Sequence, residues 1–205
     1  MIPARLVRTI PEHPSEEAER FWQTARDLHP GWDHVTHQDP IDPAGFPITS
    51  DAWPLCESGA QLAGLIRLEA LWHAGGFYLD SDLELFRPLD GLRQHRAVGT
   101  WEDGEVAPDW FLAAEPGHPA IRACLDLALV RIRNRAEVAW RTGCGAWATG
   151  PGVTTTVLPG RDDVHLLPPA VLAPYHYTQL DREHDPHHLD PSCLGAHRWR
   201  ASWLP

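Results

Sequence analysis

The chain has 205 residues with 28 acidic against 17 basic side chains, a formal charge of −11, which excludes broad electrostatic attachment to nucleic acid or anionic lipid. All 17 basic residues are Arg, so there is neither a Schiff-base lysine nor a Walker-type phosphate loop, both of which need the amine. An apolar content of 43% suffices to bury one domain's core, and no run of about 18 apolar residues offers a membrane span.

Arg5 to Ile10 reads as the first strand, stopped by Pro11. Ser15 is the predicted N-cap of a helix reaching about His29, with Glu16, Glu17 and Glu19 in its first turn. Pro30-Gly31 ends it, and Trp32 to Thr36 is the second candidate strand. Residues 37–57, rich in Pro, Asp and Gly, read as a loop over the active-site edge. Ser58 to His73 is helical, and a strand then runs from the Gly75-Gly76 pair into Asp82, with Pro88 closing the unit. Ala97 to Trp101 and Trp110 to Ala114 suggest two more strands. Pro119 to about Arg133 is amphipathic, with Ile121, Cys124, Leu125, Ala128, Leu129 and Ile132 on one stripe. Val164 to Leu167 reads as a late strand. Strands alternating with helices predict an α/β fold around a mostly parallel sheet, which binds ligands at the carboxyl ends of its strands. The last thirty residues hold five of the 13 His (His176, His184, His187, His188 and His197) among Pro and Asp, and are expected to fold back irregularly across the site. His184, His187 and His188 lack partnering Cys at zinc-finger spacing. Cys56, Cys124, Cys144 and Cys193 are widely spaced, and Met1 to Arg5 carries no basic-then-apolar leader. Free thiols in a cytoplasmic protein are therefore expected.

The chemistry concentrates at Asp80-Ser81-Asp82. On an extended strand the two Asp side chains point to one side, with Cα atoms about 6.5 Å apart. Carboxylates that close repel unless a proton or cation lies between them. A hard divalent ion, Mg²⁺ or Mn²⁺, is the simplest occupant.

Arg67-Leu68-Glu69-Ala70-Leu71-Trp72-His73-Ala74-Gly75-Gly76-Phe77-Tyr78-Leu79-Asp80-Ser81-Asp82 resembles the core of the glycosyltransferases with a sugar-binding region containing a DXD motif. These are relatives of yeast mannosyltransferases, capsular polysaccharide transferases and bacterial glucosylating toxins. Trp110 to Pro119, the Thr149-Gly150-Pro151 turn, and His197 with Ser202-Trp203 are similar to further motifs of that family in the same order. The resemblance implies a single GT-A-like domain over residues 1–205, with a Rossmann-like sheet and the His-rich tail over the active site. It implies metal-dependent, retaining transfer from a UDP- or GDP-linked sugar. Asp82 would ligate the ion directly, Asp80 would reach the ion or the donor ribose, and His197 would be the third ligand, favouring Mn²⁺ over Mg²⁺. Arg67, Tyr78, Asp80, Ser202 and Trp203 would contact the donor, and Asp109 would stand near the transferred sugar as a third catalytic candidate. Trp199 is either a lid over the donor or a core residue.

The chain also departs from its relatives. Ala63-Gly64 stands where they carry Ser-Asp for donor binding, and Val7 and Ile10 replace a His and a Trp. These changes leave the nucleotide, the sugar and activity itself open, with a non-catalytic nucleotide-sugar-binding relative as the alternative. A glycan or glycolipid acceptor is favoured. The cluster Arg131, Arg133, Arg135 and Arg141 motivates modified DNA as another.

Overall fold

The computed structural model describes residues 1–134, 145–182 and 190–200. In chain order the main elements are β1 (Arg5–Ile10), α1 (Glu16–Leu28), β2 (Asp33–Gln38), α2 (Gly59–Ala74), β3 (Gly76–Leu79), β4 (Leu83–Leu85), β5 (Ala97–Thr100), β6 (Phe111–Ala114), α3 (Pro119–Arg133), α4 (Pro151–Val157), β7 (His165–Leu167), α5 (Pro169–Leu172) and β8 (Gly195–His197). A six-stranded sheet has the order β2-β1-β3-β6-β5-β7. Only β6 runs against its neighbours, so the sheet is mostly parallel, as the alternation of elements predicts.

Leu6 pairs with Phe77 and Val7 with Tyr78 across β1 and β3. Because side chains alternate along a strand, each pair enters a different core layer. Leu6 and Phe77 pack with Trp22 and Ala25 of α1, whereas Val7 and Tyr78 pack with Leu65, Ile66, Ile121 and Leu125 of α2 and α3. Ser15 caps α1 by accepting from the Ala18 amide, and Ser58 caps α2 through the Gln61 amide. α2 is apolar around most of its circumference, as a helix enclosed by other elements must be. Its exit is tight: Gly75 and Gly76 both have positive φ, and a Cβ on Gly76 would lie 2.8 Å from the Arg5 carbonyl oxygen. Only glycine lets the chain turn there and lie against β1.

Two expectations need correction. Residues 37–57 are no simple loop: short 3₁₀ turns span Pro43–Gly45 and Ser50–Leu55, and Phe46 and Ala52 enter the core. The buried Glu69 carboxylate fastens this stretch by accepting from the Ile48 and Thr49 amides (2.9 Å each) and the Thr49 hydroxyl (2.6 Å). The strand expected to run into Asp82 stops at Leu79. Asp80 to Asp82 form a turn, closed by the Leu83 amide donating to the Asp80 carbonyl at 3.0 Å, and β4 starts beyond it. β4 pairs antiparallel with β8, with Leu83 opposite His197, so part of the tail is regular. Among the described residues no helix is long and apolar enough to cross a membrane, and Cys56, Cys124 and Cys193 are free thiols.

Candidate active site

The carboxyl end of β3 delivers Tyr78 and then Asp80. The Tyr78 hydroxyl lies 2.7 Å from the Thr9 hydroxyl and donates to Asp80 Oδ1 at 2.9 Å. Arg67 reaches the same oxygen from α2 through Nη2 at 2.9 Å, while its Nη1 lies 2.6 Å from Asp109 Oδ2. Its guanidinium also sits 4.3 Å from the Tyr78 ring centroid. Only 4% of Arg67 is exposed, so it is no surface residue. A cation this deep stays charged because carboxylates flank it: burial works against the charge, and Asp109 and then Asp80 outweigh it. Burial likewise pushes the Asp109 carboxyl up, to about 6, with Arg67 opposing and Asp80 adding to the rise.

Two glycines shape this end of α2. A Cβ on Gly64 would lie 2.7 Å from both the carbonyl and hydroxyl oxygens of Thr149, and one on Gly150 would lie 2.9 Å from Asp109 Oδ2. The Thr149-Gly150 turn therefore fills the space a side chain at position 64 would need, and leaves room for Asp109.

Asp82 is met from the tail. His197 Nε2 lies 3.0 Å from Asp82 Oδ1, the Arg200 amide donates to Asp82 Oδ2 at 2.9 Å, and the Arg198 amide donates to the Asp82 carbonyl at 2.8 Å. Trp110 stacks on His197 with centroids 4.6 Å apart, and Trp199 meets it edge-on at 4.3 Å. Trp199 has φ +53°, a region that costs a bulky residue about 1–3 kcal/mol. Arg198 is bonded to Glu84 and to the Tyr175 hydroxyl (3.0 Å), and Arg200 to Glu17 (2.6 Å).

One potential ligand atom from each of Asp80, Asp82 and His197 lies within 4.8 Å of the others. Two neighbouring ligands at right angles, each about 2.1 Å from one ion, are about 3 Å apart, so the Asp82–His197 spacing fits an ion between them. Burial alone would lower the His197 pKa, but Asp82, then Asp80 and Glu102, carry it above the ordinary histidine value. Burial would raise Asp82, yet His197 and the Arg200 amide bring it below the ordinary aspartate value. Without metal the two form an ion pair.

Sequence reasoning passed over Glu102. Burial, against His197 and with Asp103, pushes its carboxyl up to about 7, and it forms a second acidic group with Asp103 and His176. The signal was available: Glu102 lies just beyond the carboxyl end of β5, and carboxyl ends of strands are where such sheets bind. Ser202, Trp203, Arg135, Arg141, His184, His187 and His188 lie outside the described residues. Arg133 is paired with Asp51 at 2.8 Å, and Arg131 donates to the Thr156 hydroxyl at 3.2 Å.

Residues 15–98 match the family described as glycosyltransferase sugar-binding region containing DXD motif. No curated protein sequence matches the chain. Among solved structures, the PaToxG glycosyltransferase superposes with a TM-score of 0.63 at 16% identity, covering 77% of this chain and 69% of its own. The galactosyltransferase LgtC, in complex with donor and acceptor sugar analogues, gives 0.55 at 10% identity over 97% of this chain and 88% of its own. The apo-form glycosyltransferase GlyE of Streptococcus pneumoniae TIGR4 gives 0.57 at 11% identity over 99% of this chain, which spans 56% of GlyE. Residues 15–98 thus match a glycosyltransferase sugar-binding region with a DXD motif, and the sheet and helices around them share the GT-A fold of these solved glycosyltransferases.

Proposed function

We propose that residues 1–205 act as one domain, a metal-dependent retaining glycosyltransferase moving a sugar from a UDP- or GDP-linked donor to a glycan or glycolipid. The observation that carries this reading is the convergence of Asp80, Asp82 and His197 at the carboxyl edge of the sheet. Two carboxylates and one imidazole favour Mn²⁺ over Mg²⁺. When bound, the ion supplies Lewis-acid stabilisation of the charge that builds on the leaving diphosphate.

The chain's own residues do the rest. Asp80 is held from two sides by Tyr78 and Arg67, so its free oxygen is aimed rather than mobile. Arg67 brings positive charge to the donor phosphate and sugar, and Asp109 beside it accepts from a sugar hydroxyl. His197 gives up its proton to become a ligand. With its carboxyl committed to Arg67, Asp109 is a poor nucleophile, which favours front-face transfer. The acceptor oxygen then bonds to the anomeric carbon as the carbon–phosphate oxygen bond breaks, and the leaving phosphate takes the acceptor's proton.

Calorimetric titration with a panel of UDP- and GDP-sugars, with and without Mn²⁺, followed by a donor-hydrolysis assay, tests this reading. One donor should bind only with Mn²⁺ and be slowly hydrolysed. The occupied space at Gly64 favours a second reading, a non-catalytic binding relative. Tight Mn²⁺-dependent binding without hydrolysis or transfer would establish that one instead. Of the Arg cluster that motivates a modified-DNA acceptor, Arg133 is paired with Asp51 and Arg131 donates to the Thr156 hydroxyl, while Arg135 and Arg141 lie outside the described residues.

A further inference from the structure

Beside the ion site lies a surface of a different character. A chain of aromatic rings leads outward from buried Trp110 through His197 and Trp199 to Tyr177. The Tyr177 and Trp199 centroids are 5.8 Å apart at 63°, and the His176 and Tyr177 centroids 3.9 Å apart at 45°. Tyr177 is 54% exposed, one of three large hydrophobic side chains open to solvent among the described residues. Glu102 borders these rings, its Oε1 3.8 Å from His176 Nε2.

The electrostatics select the ligand. Asp103 gives this surface a negative charge and Glu102, its carboxyl pushed up to about 7 by burial, adds acceptor oxygens with only part of a charge, while the flanking Arg198 and Arg200 are tied to Glu84 and Glu17. A phosphate or another anion would be repelled. The C–H face of a pyranose ring would lie on Tyr177 and Trp199, and its hydroxyls would donate to Glu102. Trp199 is the only non-glycine residue with positive φ among the described residues, a backbone outlier of the kind that clusters at ligand sites.

We propose that Glu102, His176, Tyr177 and Trp199 form a saccharide subsite that holds the acceptor, and that this acceptor ends in a neutral sugar. The subsite rests on the glycosyltransferase reading of the adjoining ion site, but its occupancy is measurable without ion or donor. Saturation-transfer NMR on the full chain in EDTA would use methyl β-lactoside, methyl α-maltoside and an α-1,2-mannobioside as neutral probes. Sialyllactose and glucose 6-phosphate would be the anionic ones.

At least one neutral probe should bind in preference to both anionic probes. Tyr177→Ala and Glu102→Gln should each weaken it by about fivefold or more, while Tyr177→Phe, which keeps the ring, should stay within about twofold. Thermal melting checks that the Ala variant folds, as expected for an exposed side chain. Equal binding by all variants, no neutral probe bound, or preference for the anionic probes would overturn the proposal. So would a Mn²⁺ titration giving two ions per wild-type chain and one in Glu102→Gln, because the cluster would then be a second ion site. Loss of Mn²⁺ binding in Asp82→Asn judges the first ion site separately.

Discussion

Asp82 is the side chain on which the proposed chemistry depends most, because it faces His197 and is gripped by the backbone amide of Arg200. Asp82→Asn keeps an oxygen in place but removes the charge. Turnover in Mn²⁺-replete buffer should fall by about a hundredfold or more while the melting profile stays cooperative. Asp80→Asn should be severe as well, since it also strips Arg67 of a partner. The opposed shifts of His197 and Asp82 set a pH signature. A raised imidazole pKa means that the metal-free site holds a proton that Mn²⁺ must displace, so affinity should fall as pH drops through a value above the ordinary 6.5. Calorimetry in buffers of different ionisation enthalpy should detect that proton on binding to wild type and miss it in His197→Ala. For the metal-free fold the signs are separate. A raised His stabilises fully below 6.5 and less as pH rises, and a depressed Asp stabilises fully above 3.8 and less as pH falls. The gap in melting temperature between wild type and His197→Ala in EDTA should therefore be widest between those values.

At the scale of elements, the helices were the most legible part. Ser15 and Ser58 announced α1 and α2, and the apolar stripe of α3 gave its limits as Pro119–Arg133. Residues 43–55 were illegible for a physical reason: what orders them is Glu69, on a helix later in the chain, and no local pattern reports such a bond. Glu69→Gln would aim an amide donor at groups that themselves donate, and should cost about 2–3 kcal/mol in denaturant unfolding. The seam between α2 and the Thr149 turn was equally hidden, although Gly64 was visible as a departure from the resembled family. Gly64→Asp should not restore a donor-binding carboxylate. Its Cβ would meet Thr149 at 2.7 Å, so the substitution should destabilise by about 1–3 kcal/mol with no gain in nucleotide-sugar affinity by calorimetry. Retained stability with tighter donor binding would show that the seam yields.

Across the whole molecule, the candidate site is assembled from distant parts of the chain. The family match ends at residue 98, yet His197, Trp110, Asp109 and Glu102 all come from beyond it. The Asp80-x-Asp82 pair and the resemblance of the tail were enough to expect the ion site. The grouping of Glu102 with His176 had no linear spacing to betray it, because it exists only once the tail folds over the end of β5. Trp110 stacking on His197 and the β4–β8 pairing hold that tail in place. The central claim is that one divalent ion is gripped between the Asp80–Asp82 turn and the tail residue His197, and Mn²⁺ binding followed by electron paramagnetic resonance tests it most directly. Wild type should bind one ion per chain at the Asp80–Asp82–His197 site, and Asp82→Asn and His197→Ala should each weaken it by about tenfold or more. An unchanged Mn²⁺ affinity in both variants would contradict the account.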